Sequence, residues 1–193
     1  MSRNYYYFIA SLPHINYGDK PPVSSKEFRE QCEHFLSAQD AKLIEYCTFD
    51  PQIAIETVNP TGSAFIDLII LRERVLNLTL ANLRAAKLKR PSLEEPSQSM
   101  PRTKTEATTA FEMDDPLDAA LYIDRSRWGF INEIYDEMAN FSYFSVNNIF
   151  AYLLKLQLLE RKQVFDIKKG TDVYRELYNT VLRNFNNMDK EDK

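Results

Sequence analysis

The sequence predicts an all-α protein, an irregular bundle of six to seven helices. Three observations lead there. Residues 63–90 hold apolar side chains on helical spacing between a clear start and a clear stop. Only four glycines occur in 193 residues, too few for a Gly-rich β-sandwich or a phosphate-cradling fold. Helix-start residues recur ahead of the apolar runs, at Ser24, Ser37, Ser63, Asp114 or Asp115, and Ser145.

In chain order, residues 4–12 are apolar and aromatic. So short a run does not separate strand from helix, although its aromatic content alone favours strand. Pro13, Gly18, Pro21 and Pro22 then make a loop. Ser24 with Glu27 forms a capping box, followed by a helix to about Leu36 that turns Phe28, Cys32 and Phe35 inward. Ser37 with Asp40 opens a second short helix whose apolar side is Leu43, Ile44 and Cys47. Residues 51–62 read mostly as connection.

The long helix 63–90 is the expected centre. Ser63 caps its start, Lys87, Lys89 and Arg90 suit the negative end of its dipole, and Pro91 ends it. Ile69, Leu76 and Leu83 share one face, and Phe65, Leu68, Val75 and Leu78 fill an adjoining strip. A stripe that wide implies neighbours on more than one side. Residues 91–112, with Pro91, Pro96 and Pro101 among Ser, Thr, Glu and Lys, are expected to be a flexible linker. Pro116 suits the first position of the next helix, which continues through Trp128, Ile131, Ile134, Tyr135 and Met138 with Gly129 tolerated inside it. The helix after Ser145 is apolar nearly all round. A last helix starts at Thr171 or Asp172. The expected organisation is thus 1–90, linker 91–112, a C-terminal helical region 113–187, and a frayed tail 188–193.

A net charge of −4 and a pI near 5.3 fit a soluble cytoplasmic protein and speak against broad nucleic-acid binding, which needs a basic footprint. No stretch approaches the ~20 apolar residues of a bilayer span, so only a peripheral place on a membrane complex is open to it. Cys32 and Cys47 are the only cysteines. A bridge between them is geometrically open, but two thiols without a secretion signal read as free and buried.

The chemistry-bearing patterns are missing. His14 and His34 lack metal-ligand spacing, so no metal is expected. No glycine-rich phosphate loop and no nucleophile elbow occurs, so neither a cofactor nor a catalytic residue is assigned. Three polar residues of the long helix, Glu73, Asn77 and Arg84, fall near one face. They read either as a self-paired helix face or as candidate contacts to a partner.

Three blocks resemble a family of bacterial proteins of unknown function encoded beside rotary V/A-type ATPase components. They are Tyr5–Pro13 with Pro21–Phe28, residues 71–87, and Arg127-Trp128 with the helix Ala151–Arg161. The long helix is also similar to the repeated helix of the C/d central-stalk subunit of those ATPases. Arg72, Asn77-Leu78, Leu83-Arg84-Ala85 and Lys87 carry that echo, and residues 146–155 read as a degenerate second copy; no acid directly precedes Asn77. The resemblance implies a non-enzymatic accessory or stalk-like protein with ATPase subunits as partners. A free-standing helical protein-binding module is the other reading.

Overall fold

A computed structural model describes residues 5–93, 100–138, 144–165 and 178. Among these are eight α-helices, one 3-10 turn and no strand: α1 (Tyr6–Ser11), α2 (Ser25–Phe35), α3 (Ala38–Leu43), the turn Ile44–Tyr46, α4 (Pro51–Glu56), α5 (Ala64–Lys87), α6 (Pro101–Glu112), α7 (Pro116–Met138) and α8 (Val146–Val164). The all-α expectation is met. The chain divides into two compact units, 1–160 and 161–193. All geometry below belongs to the first. The expected helix after Thr171 and the expected tail lie outside the described residues.

Local chemistry accounts for most helix ends. The Ser24 side chain accepts from the Glu27 amide and the Glu27 carboxylate accepts from the Ser24 amide, so both halves of the capping box close. A second acid reaches the same helix end from α8. Glu160 accepts from the Ser25 amide and from its hydroxyl, both at 2.6 Å, placing negative charge where the dipole of α2 is positive. Ser37 caps α3, Asp50 caps α4, and Ser63 caps α5. Asp115 Oδ1 accepts from the Leu117 amide at 2.8 Å, with Pro116 in the first helical position of α7. α7 runs through Gly129 without a break. At the other ends, arginines hold carbonyls. Arg29 donates to the Ile44 and Cys47 carbonyls, each at 2.7 Å, and Arg74 donates to those of Ala54 and Thr57.

Several expectations are corrected. Tyr6–Ser11, which the sequence leaves open between strand and helix, is a helix. Only Phe8 of α1 is buried, so a single aromatic anchors the turn. Residues 51–56, read as connection, form α4 behind the Asp50 cap. Residues 101–112, expected to belong to a flexible linker, form α6. Pro101 begins this helix instead of breaking it, and Thr103, Ala107 and Ala110 give it a buried face of small side chains that packs on α5. Its entropy of ordering is offset by that close approach, which composition alone does not register. Residues 94–99 of the expected linker lie outside the described residues. Phe35 does not turn inward: it is 58% exposed and stacks on Phe8 at 4.6 Å between ring centroids.

The centre also shifts. On α5, the buried residues run from Phe65 to Leu76 and include none from Asn77 onward. The helix enclosed on every side is α8, which buries Ile149, Phe150, Leu153, Leu154, Leu156, Leu158 and Leu159. The main core gathers these with Phe8, Phe28, Phe65, Ile66, Trp128 and Ile131. Cys32 and Cys47 are both buried and free, as expected.

Candidate functional site

The three polar residues singled out on α5 do not act as one face. Glu73 is only 2% exposed and is an internal ion-pair partner, so it is not available to a partner molecule. The Asn77 side chain turns back along its own helix and donates to the Glu73 carbonyl at 2.8 Å. Arg84 is exposed near the end of the helix. Of the two readings, self-pairing describes Glu73 and Asn77.

Glu73 instead opens onto a buried network that joins three helices. Arg127 of α7 donates to it from Nε (3.0 Å) and Nη2 (2.6 Å), and Arg127 Nη1 donates to Asp124 at 2.8 Å. Arg72 Nη1 donates to Glu73 at 3.0 Å. Arg72 Nη2 donates to Glu106 of α6 at 2.8 Å and to the Ser126 hydroxyl. Each guanidinium also lies over a ring, Arg72 over Phe130 at 5.1 Å and Arg127 over Phe49 at 4.9 Å. Burial works against the charged form of Arg127, but the Glu73 and Asp124 carboxylates and the bonds they accept outweigh it, so its pKa is raised. Arg72 Nε is buried without a partner among the described residues. Chemically the network is a strut, because its charges are spent on one another. The sequence carried a signal for it: Arg72 and Glu73 lie inside the apolar run from Phe65 to Leu76, and Asp124 and Arg127 stand three apart on one face of α7.

A second polar feature lies on the wall of a cavity of about 360 Å³ between α1 with its following loop, α7 and α8. Ile9, Leu12, Ile15 and Ala151 give it apolar lining, and His14, Tyr135, Asn148, Tyr152 and Lys155 give it polar lining. The Lys155 ammonium stands over the Trp128 ring at 5.2 Å from its centroid. Burial pushes the Lys155 pKa down, and the charge of Asp136 only partly opposes this. Tyr152 is buried, its hydroxyl has no partner among the described residues, and burial raises its pKa. Sequence reading missed Lys155, whose signal is a lone cation among Leu153, Leu154 and Leu156.

The third feature is a surface. Tyr6, Tyr7 and Phe35 are 48%, 88% and 58% exposed. Tyr6 meets Tyr7 and Phe144 edge-on, at 5.5 Å and 4.5 Å between centroids, and Phe35 separately stacks on Phe8. Among the described residues no helix is long and apolar enough to cross a membrane, and no cluster of His, Cys, Asp and Glu is placed to hold a metal.

These features define an all-helical protein cross-tied by buried guanidinium–carboxylate pairs, with an aromatic surface on its first helices. A DUF2764 domain, described as a protein of unknown function, is found at residues 105–185. It takes in Glu106, Asp124, Arg127 and Lys155 and leaves Glu73, Asn77 and Arg84 outside. No curated protein and no solved structure matches the chain.

Proposed function

We propose that the protein works by contact rather than catalysis, as a non-enzymatic accessory or stalk-like component of a V/A-type ATPase. The observation that carries the contact reading is the aromatic surface of Tyr6, Tyr7 and Phe35. Large aromatic side chains left in water are costly unless something covers them, and aromatic residues dominate the energetics of interfaces. The identity of the partner rests on the resemblance of the three blocks to proteins encoded beside such ATPases and of the long helix to the repeated helix of the stalk subunit. Arg84, exposed at the end of that helix, remains the polar contact residue of this reading, alongside the aromatic patch.

The test is affinity capture from native cells at low salt with the tagged full chain. ATPase subunits are expected in the eluate, and Tyr7→Ser combined with Phe35→Ser is expected to lose them while circular dichroism stays unchanged. Recovery of the chain with no ATPase subunit overturns the assignment of partner. Capture of other proteins through the same aromatic residues would leave the free-standing binding module as the reading.

A further inference from the structure

The cavity beside Lys155 holds an arrangement that the contact function does not use. Among the described residues, its walls carry one full positive charge and no carboxylate. Lys155 is half-buried, and among the described residues no acid forms an ion pair with it; its near neighbour is the face of Trp128. Asp136 acts on it from a distance, without a direct pair. A cation partly withdrawn from water, with a ring for its near neighbour and a carboxylate only at a distance, is under-compensated, since burial of a charge is costly unless it is paired and hydrogen-bonded.

The surroundings narrow what would answer it. A single ammonium matches a single negative charge. Among the described residues no arginine fork lines the cavity to grasp a phosphate from two sides, and the imidazole of His14 is exposed and already bonded to Asn16 at 3.1 Å. Ile9, Leu12, Ile15 and Ala151 offer hydrocarbon contact a short way from the charge. A concave site that pairs apolar lining with a few polar groups suits a small amphiphilic molecule, and here the apolar and polar side chains share the walls about equally.

We propose that this cavity binds a small monocarboxylate with an apolar body, its carboxylate against Lys155 Nζ and its hydrocarbon against Ile9, Leu12 and Ile15. The site is independent of the ATPase reading.

Trp128 supplies the assay. It is the only tryptophan of the chain, and it sits against the ammonium that the ligand would engage. The full-length protein is titrated with sodium decanoate below its micelle concentration while the tryptophan emission is followed. A saturable change is expected. Decanol, which lacks the charge, and acetate, which lacks the body, are each expected to bind at least about tenfold more weakly, a difference of ~1.4 kcal/mol. Lys155→Met is expected to lose the preference for decanoate over decanol. Ala151→Leu, which fills the cavity and keeps Lys155, is expected to weaken decanoate by a similar factor with the helical circular dichroism unchanged. No saturable change with decanoate overturns the proposal. Equal affinity for decanoate and decanol, or undiminished preference in Lys155→Met, overturns it as well, the first by showing greasy adsorption only.

Discussion

Arg127 grips Glu73 through two hydrogen bonds, Nε to Oε1 at 3.0 Å and Nη2 to Oε2 at 2.6 Å, and so ties α7 to α5 inside the protein. Both side chains are nearly inaccessible, 8% and 2% exposed. In that setting the attraction of the pair and the cost of stripping its water are both large, and what matters is which partner is removed. Glu73→Ala would leave Arg127 with Asp124 alone and take from Arg72 one of its acceptors. A loss of ~3–5 kcal/mol in urea unfolding is expected. The paired replacement Glu73→Leu with Arg127→Met is expected to cost clearly less than Glu73→Ala. Equal costs would mean that the charges are not coupled.

Leu76 and Arg84 share α5 and separate its buried part from its exposed end. Leu76 is 1% exposed, so Leu76→Ala is expected to cost ~2–5 kcal/mol through lost contact and the void left behind. Arg84 is exposed, and Arg84→Ala is expected to stay within ~0.5 kcal/mol of the parent in the same unfolding experiment. A large effect at Arg84 would show that the end of α5 is covered by something that its exposure does not reveal.

The two thiols bear on alkaline stability. Burial pushes Cys32 up to about 12 and Cys47 higher still, against an ordinary value of 9.0. The nearby Arg29 lowers both without reversing the shift. The folded state therefore keeps these protons at a pH where the unfolded chain releases them. With fewer protons bound in the unfolded state, stability falls as pH rises past 9. Both thiols are expected to resist iodoacetamide at pH 8 in the folded protein and to react on unfolding. Rapid alkylation of the folded chain would contradict their enclosure. Replacing Cys47 by Ala is expected to flatten the loss of stability between pH 9 and pH 11, roughly in proportion to its share of the proton release.

How far the sequence could be read follows from which forces act locally. Ser24 with Glu27, Ser37, Ser63 and Pro116 mark helix starts because a cap is a contact between residues two or three apart, and each mark is met in the structure. α6 was illegible because its stabilising contacts lie on α5: Thr103, Ala107 and Ala110 are poor hydrophobic signals, and their value is the close approach they permit. Its threonines hid it further. Thr105, Thr108 and Thr109 return their hydroxyls to carbonyls four residues back, which satisfies them inside a helix even though their composition reads as loop. Glu73 shows the same limit at the candidate site. Its spacing to Asn77 was visible, but its partner Arg127 lies 54 residues away, and no periodicity reports a pairing at that distance.

Lys155 should behave in the opposite sense to the thiols. Its pKa is lowered, first by burial, with Asp136 partly offsetting the shift. On raising the pH, the folded state gives up the Lys155 proton before the unfolded chain does. Between the two values the unfolded state binds more protons, so this group makes stability rise with pH over a window that closes near the ordinary value of 10.5. Below that window the folded protein carries the full cost of an enclosed ammonium, reduced by its contact with the Trp128 ring. Lys155→Met keeps the apolar stem and removes the charge. Its urea midpoint is expected above that of the parent at pH 7, with the advantage shrinking toward pH 10. An advantage that is absent at pH 7, or equal at both pH values, would mean that the ammonium reaches water after all, and the cavity would then lose the unanswered charge that makes it a site for a carboxylate.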